Sequence, residues 1–231
     1  MILVLSTQAA LLGQEKAVSV PFVGCKSDGQ IGPMEAPIGT RVAVPISPKA
    51  AQALAYYSTG PGSGVLAPRG WHCFGLYGSS GSVLFVGPRP TDTANLHSSG
   101  PAIVISHTNG DGSGGYEVAE IMARVFPAYR DFADALAKEY LATSFTFGPY
   151  PKDLLIYKSK EWVEYKTPPY SEGLGTRSLE KNSSAIEGVA MLVGQRHDLV
   201  FLSVRLPPEW NGLTSVIVRQ VERDAERSDY H

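Results

Sequence analysis

Charge of one sign is what this chain most conspicuously lacks. Its 20 basic and 22 acidic residues are interspersed without a long run of either, so no positive strip exists to neutralise a phosphate backbone, and nucleic acid is excluded as an expected partner. No segment reaches the roughly 18 to 20 consecutive apolar residues that cross a bilayer as a helix, and no membrane span is expected. Cysteine is nearly absent. Cys25 and Cys73 occur in FVGCKSD and GWHCFGL, neither in a Cys-x-x-Cys pair nor at zinc-ligand spacing, which argues against thiol-redox or zinc chemistry. The two either join as a disulfide in an oxidising compartment, where loop closure is worth about 4 kcal/mol, or stay apart as separate buried thiols. No internal repeat or low-complexity tract is present.

What remains is a chain with the means to fold. With 43% hydrophobic residues, 24 Gly and 17 Pro in 231 residues, it carries enough apolar surface for one loop-rich core. Residues 1–16 open on MILVLSTQAALLG, whose apolar run and small residues at Ala9 and Ala10 resemble the end of a secretory signal without the basic n-region. The other reading of that stretch is a short helix capped at Ser6 or Thr7, with Ala10, Leu11 and Leu12 entering the core. Together with the cysteines it points to a periplasmic or secreted protein. Residues 17–231 read as a single globular domain.

Val18–Cys25 and Arg41–Ile46 are β-branched and read as strands. Ser47 as N-cap and Pro48 at the first helical position start a helix whose apolar stripe, Ala50, Ala51, Leu54 and Ala55, runs up to Gly60. Residues 60–66 read as a flexible connection, and Trp71–Tyr77 with Val83–Val86 as a hairpin. Ala102–Thr108 is a buried strand that runs into NGDGSGG, after which Val118, Ile121, Met122, Val125 and Phe126 fall at helical spacing until Pro127. A second helix sets Tyr129, Phe132, Leu136 and Tyr140 on a stripe read as core. A hairpin at 154–157 and 162–165, an aperiodic stretch from Lys166 to Ser184, closing strands Ile186–Val193 and Leu199–Val204, and a helix from Leu213 to Arg223 complete the chain. The class is α+β: a mixed or mostly antiparallel sheet packed against three or four helices.

Residues 109–120 read N-G-D-G-S-G-G-Y-E-V-A-E, with oxygen-bearing side chains at alternate positions Asn109, Asp111 and Ser113. The segment resembles the calcium loop of the EF-hand family. That resemblance implies calcium bound by Asn109, Asp111, Ser113, the Gly115 carbonyl, Glu117 directly or through water, and Glu120 as a bidentate ligand, with Gly114 at the turn. It departs from the pattern in its opening asparagine, in Tyr116 and in being entered from a strand. Three further readings attach to the same residues. One is an anion cradle at a helix N-terminus. Another makes Ser113 a nucleophile, with His107 or His197 as its base and Asp198 orienting that base. The last is a plain glycine turn in which Asp111 and Ser113 cap the following helix.

His72 and His97 have no evident partner, whereas His107 ends a strand where ligands commonly bind in α/β sheets. Glu161 and Glu164 suggest acid–base chemistry by their spacing, but on either side of Trp162 in a strand they read as solvent-facing. The functional expectation is an exported, calcium-dependent hydrolase of a small neutral ester or lactone, in which His107 acts as base and the 166–184 stretch covers the substrate. The alternative is a non-catalytic cell-envelope binding or structural protein.

Overall fold

The computed structural model describes residues 16–60, 63–90, 99–140 and 145–228. The N-terminal signal-or-helix reading and His97 therefore fall outside the described residues. Among the described residues, twelve strands form two sheets. The smaller is built from β1 (Ala17–Gly24), β3 (Arg41–Pro45), β4 (Leu54–Gly60) and β5 (Ser63–Pro68) in the order β3-β1-β4-β5. Its β1–β4 pair is parallel and its other pairs antiparallel.

The larger sheet has eight strands in the order β2-β6-β7-β8-β12-β11-β10-β9. They are β2 (Ser27–Gly29), β6 (His72–Gly78), β7 (Gly81–Gly87), β8 (Ala102–Thr108), β9 (Leu154–Tyr157), β10 (Trp162–Thr167), β11 (Ile186–Val193) and β12 (Asp198–Arg205). The short β2–β6 pair is parallel; the remaining pairs of this sheet are antiparallel, joined as hairpins at β6–β7, β9–β10 and β11–β12 and by longer connections elsewhere. The α+β class is as read from the sequence, with the mixed pairing divided between two sheets.

Alternation along the large-sheet strands assigns each residue to one of two faces. Ile103, Ile105, Val200 and Leu202 face the small sheet and the C-terminal helix α4 (Thr214–Ser228), whose Ile217 and Val221 are buried. Leu199, Phe201, Ala190 and Val163 face α2 (Gly115–Val125) and α3 (Arg130–Tyr140) on the other side. The result is three layers. Burial of Ile217, fully enclosed, contributes on the order of 2 kcal/mol, and α4 adds polar fastening. Gln220 Oε1 accepts the Leu66 N–H at 2.7 Å and its Nε2 donates to the Gly64 carbonyl at 3.3 Å, which satisfies an edge of β5 that would otherwise be buried unpaired.

The disulfide reading holds: Cys25 and Cys73 are bonded, tying the end of β1 to β6 and so one sheet to the other. Three local expectations need correction. Helix α1 (Pro48–Ala53) starts as read, with Ser47 Oγ accepting the Ala50 N–H at 3.2 Å. It stops at Ala53 instead of running to Gly60, because Leu54-Ala-Tyr-Tyr-Ser-Thr is claimed by strand pairing on both sides, tertiary context that overrides helical spacing. The connection at 60–66 is for the most part strand β5 rather than a flexible link. In α3 the buried positions are Ala133 and Ala137, whose small side chains let the helix approach its neighbours; of the stripe read as core, Tyr129 and Leu136 pack half-buried against that core, while Phe132 is turned outward, 45% exposed.

Candidate functional site

The glycine loop leaves the end of β8 and enters α2 through a 3-10 turn at Gly112–Gly114. Its composition answers to packing. A Cβ on Gly110 would stand 1.9 Å from the Arg196 carbonyl oxygen, and one on Gly114 would stand 2.3 Å from the Asn109 carbonyl oxygen. The loop is thus pressed against the β11–β12 turn on one side and the β6–β7 hairpin on the other.

Its polar groups serve the same contacts. Asn109 Nδ2 donates to the Ser79 carbonyl at 2.9 Å, Ser113 Oγ lies 3.0 Å from Ser79 Oγ, and Asp198 Oδ1 accepts the Gly110 N–H at 2.8 Å. Asp111 pairs with Arg196 at 3.2 Å. Gly115 is the first residue of α2, so Glu117 and Glu120 are helical; Glu117 faces a cleft, and Glu120 pairs with Arg177 at 3.0 Å. Among the described residues no group of three or more His, Cys, Asp or Glu stands where it could hold a metal ion. Asp111 and Glu120 are each turned to an arginine. Neither Asp111 nor Ser113 makes a side-chain cap to the turn or to α2.

His107 and Ser113 are not brought together. Alternation along β8 turns Ser106 and Thr108 toward a cleft of 460 Å³, shared with Glu117 and Arg177, and His107 toward the opposite face. There its imidazole borders a small cavity of 90 Å³ under α4, lined also by Asp224 and Val221. Nε2 has no hydrogen-bond partner, and burial pushes the imidazole pKa down from its ordinary value. His197 has φ of 57° in the β11–β12 turn, its ring 4.9 Å from that of Tyr129. Asp198 orients the loop through Gly110 rather than a histidine. Of the 166–184 stretch, Arg177 and Ser178 line the 460 Å³ cleft.

A stronger electrostatic anomaly lies across the sheet. Alternation along β10 sends Val163 and Tyr165 into the α2 side and Trp162 and Glu164 toward α4. From α4, one turn beyond Val218, Glu222 meets them with only 5% of its surface exposed. Trp162 Nε1 donates to Glu222 Oε1 at 3.0 Å, Lys158 Nζ stands 2.9 Å from Glu164 Oε1, and the two carboxyl groups hydrogen-bond to each other. Burial, reinforced by the charge of Glu164, pushes the Glu222 carboxyl up to about 7, with the Trp162 N–H opposing the shift. Two carboxyls in contact retain one proton between them, here near neutrality.

The pair opens into a cleft of 410 Å³ that also includes Thr214, Ser215 and Arg219. On its far side Trp162 borders a second hollow containing Glu161 and Glu226. Glu161 belongs there, accepting from Tyr129 Oη at 2.5 Å and paired with Lys160. The sequence spacing therefore named one member of a carboxyl pair and matched it with the wrong partner. Glu222 was legible only as a polar residue four positions after Val218, on the buried stripe of the last helix. No protein-family model matches the chain, and it matches no curated protein and no solved structure.

Proposed function

We propose that the protein is a hydrolase of a small neutral ester or lactone, acting outside the cytoplasm, in which Glu222 and Glu164 carry the proton transfers. One observation supports this above the others: a buried carboxyl, kept protonated up to about pH 7, beside a second carboxylate at the wall of an open cleft. Perturbed acid–base pairs of this kind, set apart by environment, are the usual equipment of a catalytic centre. The disulfide fits an oxidising compartment.

In this reading Glu164 removes a proton from a water whose oxygen attacks the substrate carbonyl carbon. Glu222 delivers its proton to the carbonyl oxygen as the tetrahedral adduct forms. As the adduct collapses and the acyl C–O bond breaks, Glu164 passes the proton it took from water to the departing alkoxide and Glu222 recovers its proton from the adduct hydroxyl, so one water is consumed for one acid and one alcohol and both carboxyls return to their starting states. Lys158 holds Glu164 toward the cleft, and the Trp162 N–H holds Glu222.

Turnover of a panel of chromogenic esters and lactones tests the proposal. Glu222→Gln and Glu164→Gln are each expected to lower kcat/KM by about 100-fold or more while leaving the circular-dichroism spectrum unchanged. A folded wild-type protein that turns over none of them, or variants that retain full activity, would overturn it. The envelope-binding alternative gains support from that first outcome.

A further inference from the structure

The large sheet ends on β9, a four-residue edge strand with none of the usual protections: no proline, no bulge and no charge within Leu154-Leu155-Ile156-Tyr157. Three of its four side chains are exposed, Leu154 by 63%, Ile156 by 58% and Tyr157 by 49%. The phase of its backbone is set by β10. Lys158 N–H donates to the Trp162 carbonyl at 2.9 Å, so the backbone groups of Lys158, Ile156 and Leu154 turn inward. Those of Leu155 and Tyr157 turn out toward the open edge.

We infer that β9 is the seam of a two-fold dimer, pairing antiparallel with β9 of a second copy of this chain. A two-fold axis perpendicular to the sheet keeps each residue on its own face, so it must pass through a residue position. Centred on Leu155, it lets Leu155 exchange both backbone hydrogen bonds with Leu155 of the second copy. The Tyr157 N–H of each copy then reaches the Asp153 carbonyl of the other, the Asp153 N–H itself being held by the Tyr150 carbonyl. The same register sets Leu154 opposite Ile156 of the second copy, twice, at non-hydrogen-bonded positions where Cα atoms lie about 4.5 Å apart and side chains pack closest. Every neighbouring register instead sets an apolar residue of β9 opposite Lys152, Lys158 or Pro151.

Charge supports the same arrangement. Leu154 pairs with Lys166 on β10 and Ile156 with Glu164. Each row across the seam then runs Lys166, Leu154, and the second copy's Ile156 and Glu164, with opposite charges bracketing an apolar centre. Lys158 and Lys152 of the second copy meet only beyond the strand ends, where Lys158 is already drawn to Glu164.

Sedimentation of the full chain from micromolar to millimolar concentration tests this. The wild type is expected to pass from monomer to dimer. Ile156→Lys, at an exposed side chain, and Leu155→Pro, which removes the outward-facing N–H at the centre of the seam together with a half-buried side chain, are each expected to raise the dissociation constant at least tenfold. The double variant Leu154→Cys/Ile156→Cys is expected to yield a covalent dimer on oxidation in which the cysteine at 154 is bridged to the cysteine at 156 of the second copy, since that register alone sets those two positions opposite each other. A wild type that stays monomeric throughout would overturn the inference. A dimer indifferent to both single substitutions, or one whose cysteine variant does not cross-link, would overturn it equally.

Discussion

The glycine loop after β8 and the carboxyl pair between β10 and α4 present opposite relations between sequence and chemistry. The loop carries a dense local motif, yet its polar groups are spent on its neighbours: the Asn109 amide N–H on the Ser79 carbonyl, the Asp111 carboxylate on Arg196, the Glu120 carboxylate on Arg177. The carboxyl pair has no motif at all, being assembled from residues 58 positions apart. It nevertheless holds the group whose protonation the fold perturbs into the neutral range. A glycine-rich string between strand and helix is one that tight packing selects as readily as ligand binding does, because both demand close approach of backbone. A buried carboxyl against a second carboxyl has no such packing advantage.

That contrast can be broken or sharpened by substitution. The largest effect is expected in the loop, from Gly110→Ala: a Cβ 1.9 Å from a carbonyl oxygen forces the β11–β12 turn away, at a cost of about 3 kcal/mol, read as a fall in the denaturant midpoint. An unchanged midpoint would show the loop to be pliant and its glycines to need another explanation.

Next in size is the pH dependence of Glu222→Gln. The folded-state pKa of Glu222, about 7, lies above its ordinary value, so the folded state holds this proton more tightly than the unfolded chain. The resulting stabilisation is complete below about pH 4.5 and is lost as pH rises through 7. Above that, the wild type carries a destabilising charge pair that glutamine lacks. The variant is expected to gain about 2 kcal/mol over the wild type at pH 8 relative to pH 5, measured by unfolding at both values. A difference independent of pH would remove the shared proton.

The smallest effect is expected from Asp111→Asn, with melting followed in millimolar calcium and in EDTA. Asp111 is engaged in an exposed ion pair with Arg196, worth little, so the melting temperature should shift by about 1 °C at most in either solution. A calcium-dependent rise that the variant abolishes would restore the loop as a calcium site.

Legibility from sequence follows the range of the interactions involved. Strands β8, β11 and β12 and the Ser47 cap were readable because alternation and capping are settled within a few residues. The end of α1, the existence of β5 and the division into two sheets were not, since each depends on which distant strand pairs with Leu54–Gly60. The outward turn of Phe132 was missed because helical spacing identifies a stripe without saying whether alanines or aromatics face the sheet. Glu164 was visible and Glu222 was not, for the same reason: their meeting is decided by where α4 docks.

The Cys25–Cys73 bond has a mechanical consequence as well. Load drawn on the chain at β1 runs to Cys25 and crosses the bridge into β6, so it arrives at the large sheet without passing through what lies between. The 48-residue span enclosed by the bridge, which includes most of the small sheet, is sheltered from tension. Roughly 160 Å of contour length stays locked until the bond is reduced, and a molecule pulled from that end can yield only in the pairings of β1 ahead of Cys25 or in the hydrogen-bonded strands beyond Cys73.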